Sequence, residues 1–97
     1  MAHYFMLSNH TDQGIRNVRD SPKRVESTRN LMRATGGEMR AFYLTMGTYD
    51  SIVHSEFPND AAVGRFALSI DALGNVRTTT VKAFSESEFR DIIGSLP

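Results

Sequence analysis

Apolar positions along the chain alternate between runs of strand length and stripes at helical spacing. Tyr4 to Leu7 are continuously apolar and partly aromatic, which predicts a buried strand over 3–9. The polar turn Thr11-Asp12-Gln13-Gly14 follows and opens a short irregular or one-turn helical piece. Ser21-Pro22 predicts a helix start, with serine as the cap and proline at the first helical position. Val25, Thr28, Met32 and Thr35 then recur at helical spacing until Gly36-Gly37, where a left-handed residue ends the helix. A second strand spans 39–45. A third starts at Asp50 and runs to Phe57, and the short connection containing Gly47 predicts a hairpin. Pro58 stops this strand, and Asn59 or Asp60 caps the next helix. Val63, Phe66, Ala67, Ile70 and Leu73 form that helix's apolar stripe, which ends at Gly74-Asn75. A fourth strand spans 76–84. Ser85 and Glu88 have capping-box spacing, and Phe89, Ile92, Ile93 and Leu96 give a terminal helix an apolar face.

The predicted order is β-α-β-β-α-β plus a terminal helix. Right-handed crossovers place both main helices on one face of a four-stranded antiparallel sheet. This is an α+β, ferredoxin-like arrangement with expected strand order 4-1-3-2, and one domain over 1–97. Two helices cover only one sheet face, yet the first strand is apolar on both: Tyr4 and Met6 on one side, Phe5 and Leu7 on the other. In the second strand Phe42 and Leu44 share a face, and Met39, Ala41 and Tyr43 share the opposite one. A sheet with one wet face alternates apolar and polar residues, so a second copy packed sheet to sheet is expected, the alternatives being a partner of another sequence or the terminal helix folded over the face.

Composition narrows the function classes. Eleven basic residues balance eleven acidic ones, which argues against a protein that grips nucleic acid through phosphates. Cysteine is absent, which removes disulfides, thiolate nucleophiles and cysteine-ligated metals. No apolar run reaches the roughly 20 residues of a membrane span. No signal peptide is visible at Met1-Ala2-His3-Tyr4, so the expected compartment is the cytoplasm.

The hairpin carries Gly47-Thr48-Tyr49-Asp50. Gly47 supplies a positive φ in the turn, Asp50 is placed to accept from turn amides, and Tyr49 packs across the hairpin with a wet hydroxyl. With the element order, this Gly-x-Tyr-Asp motif resembles the GYD-domain family of small bacterial and archaeal proteins. Other stretches that look like the family are Thr11-Asp12-Gln13-Gly14-Ile15, Asp20-Ser21-Pro22-Lys23-Arg24, Ala41-Phe42-Tyr43-Leu44-Thr45, Glu56 with Pro58, and Gly74-Asn75-Val76-Arg77-Thr78-Thr79-Thr80. The resemblance implies a dimeric α/β barrel of two ferredoxin-like subunits. Its superfamily also holds ligand-sensing domains and cofactor-free monooxygenases. His54 departs from the aliphatic residue expected at its position.

Alternation places Ile52, His54 and Glu56 on one face of the third strand and Val53, Ser55 and Phe57 on the helix side. The hairpin register sets Tyr43, Ala41 and Met39 across from Ile52, His54 and Glu56. Thr78, Thr80 and Lys82 share a face of the fourth strand and are expected to line the same space between two sheets. Such a space, with His54, Glu56 and Tyr43 in it, suits a small polar or aromatic compound. The expectation is a homodimer, or a higher even oligomer, serving as a small-molecule-binding or accessory domain without cofactor, nucleic acid or membrane. The alternative is a small cofactor-independent monooxygenase or lyase with His54 as general base and Glu56 or Tyr43 orienting the substrate. Simple ion pairing of His54 and Glu56, with each other or across a dimer, is the structural alternative. His10 and Asp12, beside Asn9, read as a loop pair, and no metal-ligand spacing accompanies them. His3 is expected to be exposed. Arg16, Arg19, Lys23, Arg24, Arg29 and Arg33 stand against Asp20 and Glu26 and read as a solvated helix face.

Overall fold

In the computed structural model, which describes residues 1–97, the aromatic first run becomes β1 (Ala2–His10). It is followed by α1 (Asp12–Arg16), a 3-10 turn (Val18–Asp20), α2 (Ser21–Ala34), β2 (Glu38–Leu44) and β3 (Ser51–Phe57). Then come α3 (Asp60–Ala72), β4 (Val76–Ala83) and α4 (Glu86–Gly94). The strands form one antiparallel sheet ordered β2-β3-β1-β4, the ferredoxin-like order expected. No helix is long and apolar enough to cross a membrane.

Local chemistry explains most boundaries. Gly36 and Gly74 take φ of 93° and 83° where α2 and the α3 turn reverse, a conformation open to glycine without a Cβ penalty. Asn59 caps α3 by accepting from the Ala62 amide at 2.9 Å. Ser85 and Glu88 form the capping box of α4. Ser21 does not cap α2. The preceding 3-10 turn leaves Asp20 in helical geometry with no side-chain cap bond, and the Ser21 hydroxyl accepts from Arg24 at 3.1 Å instead.

The even residues of β1 face the helices. Tyr4 and Met6 join Val53 and Phe57 of β3, Met32 of α2, and Ala62, Val63 and Phe66 of α3 in the buried core. Phe57 is fully buried, edge-on to Tyr4 and beside Phe66. The Ser55 hydroxyl is also buried and donates to the Tyr4 carbonyl at 3.0 Å, which satisfies it within the sheet.

Two stretches far apart in sequence interlock beside this core. The Thr11 amide donates to the Asn75 carbonyl at 3.1 Å, and its hydroxyl donates to the Gly74 carbonyl at 2.5 Å. Gln13 Nε2 donates to the Leu73 carbonyl and the Asn75 side chain at 3.2 and 3.0 Å. Gly14 is buried so closely that a Cβ there would lie 1.9 Å from the Asn75 carbonyl oxygen. The start of the first crossover is thereby locked onto the turn that leads into β4.

Candidate binding face and its relatives

The odd residues of β1 set the other face of the sheet. Phe5 and Leu7 pair with His54 and Ile52 on one side and with Val81 and Thr79 on the other. Tyr43 stands opposite Ile52, and Ala41 opposite His54. This face carries no helix, and Tyr43 is 62% exposed. The apolar face of α4, with Phe89, Ile92 and Ile93, is exposed as well, as is Phe84 just before it.

His54, Glu56 and Tyr43 reach this face as the alternation predicted. His54 Nε2 is 3.0 Å from His3 Nδ1, and its ring stacks on Phe5 with centroids 4.8 Å apart and planes 6° from parallel. Glu56 does not pair with His54. It is bound by the Arg40 guanidinium, and its other oxygen is 3.9 Å from His3 Nδ1. The result is an imidazole pair seated on an aromatic ring, with a carboxylate–guanidinium pair at its border. A small recess of about 230 Å³ between this pair and Phe84 marks the end of the face.

Three placements differ from the sequence expectation. Thr78, Thr80 and Lys82 do not line the open face. They stand opposite Ser8, Met6 and Tyr4, which puts them on the helix side. There the Thr78 hydroxyl donates to Asp71 of α3 at 3.1 Å, and Lys82 reaches Asp60 at 3.4 Å. The reason is register. Strand alternation is fixed, but which parity faces the helices is set by the pairing partner. Met39 also changes sides: a bulge at Arg40 sets Met39 opposite Ser55 and Glu38 opposite Glu56. The bulge turns Arg40 outward to meet Glu56. His3, expected to be exposed, is half-buried at the centre of the cluster because β1 begins at Ala2, in register with Phe57. His3 was legible from the same alternation that places Phe5, whereas Arg40 left no signal because a bulge does not disturb the composition.

The motif loop works as a clasp. Gly47 has φ of 110°. Asp50 accepts with Oδ2 from the His10 amide at 2.8 Å, and not from turn amides. Its own amide donates to the Ser8 carbonyl, and its carbonyl accepts from the Thr45 amide, at 2.8 and 2.9 Å. Tyr49 is half-buried, and its carbonyl accepts from the Thr45 hydroxyl at 2.6 Å. Asp50 therefore ties the hairpin to the end of β1, which is why β3 proper begins one residue later. His10 is the last residue of β1 and not a solvated loop residue. Asp12 lies in the exposed first turn of α1. No three His, Asp or Glu side chains are grouped to hold a metal ion. On the basic stretch Arg29 pairs with Glu26, and Arg33 lies 3.6 Å from Glu38.

Two ionic contacts give stability a defined pH dependence. The Arg40 guanidinium on Glu56 holds this carboxyl below its ordinary 4.5. Hydrogen bonds from Tyr4 and then Lys82 hold Asp60 below 3.8. Both favour the ionised folded state, so their contribution is present above those values and is lost as pH falls through the lower folded ones. Tyr4 runs the other way. Its bond to Asp60 and its burial push the phenol up to about 12 from 10.0. That contribution is complete below 10 and is lost as pH rises towards 12. Melting temperature is expected to fall on both limbs. Arg40→Gln should flatten the acid limb and Tyr4→Phe the alkaline one; unchanged limbs in either variant would assign the dependence elsewhere.

Residues 4–93 match the GYD domain family model, a span that takes in the sheet, the clasp and the interlocked turns. Over 84 residues, 86% of this chain and 88% of its relative, the sequence is 32% identical to a Thermus thermophilus protein named glutamine synthetase and cystathionine beta-lyase binding protein. No solved structure matches the chain. A Gly-x-Tyr-Asp loop that clasps β1, within a match covering nearly the whole fold, settles its kinship: this chain belongs to the GYD domain family.

Proposed function

We propose that this chain is a homodimeric accessory protein that binds a partner enzyme, with the open sheet face forming the dimer contact. The observation that carries the dimer is this face itself: Phe5, Leu7, Tyr43, Ile52 and Val81 stand side by side with no helix over them. An apolar layer of this kind on a sheet is the surface of an interior, and a second copy related by a two-fold axis supplies the other half. Two such sheets face to face make the dimeric α/β barrel. The imidazole pair, Glu56 and Tyr43 then line the space between the sheets, open to a small polar or aromatic compound. The accessory role is supported by the relative's printed name, which makes glutamine synthetase and cystathionine β-lyase the first partners to try.

Native mass spectrometry tests the assembly. The expected species is twice 10.8 kDa, or an even multiple of it. Leu7 lies at the centre of the face, between Ile52 and Thr79. Leu7→Lys would bury an unpaired ammonium there and should weaken association by about 100-fold, on the scale of roughly 3 kcal/mol for an uncompensated buried charge. A monomeric wild-type chain would overturn the dimer. Titration of the wild-type protein into each of the two purified enzymes tests the accessory role separately, and no heat or mass change with either would remove the support the relative lends.

A further inference from the structure

The opposite side of the sheet holds a feature that the dimer does not use. Between the sheet, α2 and the end of α3 lies a cavity of about 620 Å³. Packed interiors hold few voids larger than a water molecule, whereas small-molecule sites run from about 300 to 1,000 Å³. Its walls are apolar, formed by Met6, Leu31, Met32, Val53, Phe66 and Ile70 among others. It opens where the helical layer stops short of β2, since Phe42 and Leu44 line it yet are 40% and 78% exposed.

One end is polar. His10 lines the cavity, and its Nδ1 is buried without any hydrogen-bond partner. Leaving such an atom unpaired is unfavourable, so a ligand group that pairs it is favoured over one that does not. The charges that line the cavity are one Arg24 and one Asp50. Arg24 is occupied by the carbonyls of Asn17 and Gly14 and by the Ser21 hydroxyl. Asp50 turns Oδ2 to the His10 amide. A ligand carboxylate would therefore meet the Asp50 charge, and a cation would meet Arg24. A neutral hydroxyl meets neither penalty, and it donates to an imidazole nitrogen.

We propose that this cavity is a binding site for a neutral, mainly apolar molecule carrying one hydroxyl, such as an alkylphenol, with the hydroxyl donating to His10 Nδ1. This site is independent of the dimer reading, because it lies on the helix side of the sheet. The test uses the full chain and two probes, 4-butylphenol and butylbenzene, which differ only in the hydroxyl. Methyl NMR of Met6, Met32, Val53 and Ile70 reports the location, and titration reports affinity. The expected result is that 4-butylphenol shifts these methyls and binds about tenfold more tightly than butylbenzene, one hydrogen bond's worth. His10→Leu should bring the two probes level. Methyls that do not move, or equal affinity of the two probes for the wild-type protein, would overturn the proposal whether or not the variant folds.

Discussion

Phe57→Ala is expected to lower the unfolding free energy by about 3–5 kcal/mol, the range for removing a buried aromatic ring. The ring is fully buried at the meeting of the sheet and α3, 6.0 Å from Tyr4 and 5.8 Å from Phe66. Gly37 lies directly against it, so close that a Cβ there would be 2.4 Å from the ring. The core has only eight buried apolar residues, so few neighbours can relax into the space. A domain of this size holds roughly 5–15 kcal/mol in total, so one substitution consumes a large part of it. Leu68→Ala is the matched control: Leu68 is 75% exposed on α3 and should change stability by no more than about 0.5 kcal/mol. Urea denaturation reads both midpoints. A Phe57→Ala loss under about 1 kcal/mol would mean that the core is not centred on this ring.

Gly14→Ala should cost about 3 kcal/mol although it adds a single methyl group, the upper end of the usual overpacking range. The added carbon would fall 1.9 Å from the Asn75 carbonyl oxygen. That oxygen is backbone and already accepts from the Thr11 amide, so it cannot swing aside as a flexible side chain would. Relief requires parting the Thr11–Gly14 segment from the Leu73–Asn75 turn, with the hydrogen bonds of Thr11 and Gln13 lost together. Gly64→Ala is the informative contrast. Gly64 lies in α3 with open space where its Cβ would stand, so alanine should be neutral or stabilising there. Equal effects of the two substitutions in thermal unfolding would show that the interlock does not hold the crossover.

Both predictions rest on places where separate stretches of sequence meet, and the same division separates what was readable in the chain from what was not. The four strands and the two long helices were legible because each is written in local periodicity and turn chemistry, and the strand order followed from their sequence and right-handed crossovers. Val63, Phe66 and Ile70 define a helix face by spacing alone, and Gly36 and Gly74 mark reversals by backbone freedom alone. The faces of β1 and β3 were legible too, since alternation along one strand needs no partner. His54, Glu56 and Tyr43 therefore arrived where they were expected.

What a residue touches across the sheet was settled elsewhere. Thr78, Thr80 and Lys82 share a face by alternation, but only the pairing of β4 with β1 decides that this face looks at Asp71 and Asp60. The Arg40 bulge moves Met39 to the core side and brings a guanidinium to Glu56, and one extra residue in a ladder leaves no trace in hydrophobic pattern. The clasp of Asp50 on the His10 amide spans 40 positions, and the lock of Thr11 on Gly74 spans 63. By itself the sequence determined the elements, their order and the two-faced character of the sheet, because short-range sterics and burial patterns suffice for those. The tertiary structure alone decided which face of β4 meets the helices, the cavity beside His10 and the partners that reach Glu56 and Asp60 from other elements, because register and long-range closure depend on where distant segments come to rest.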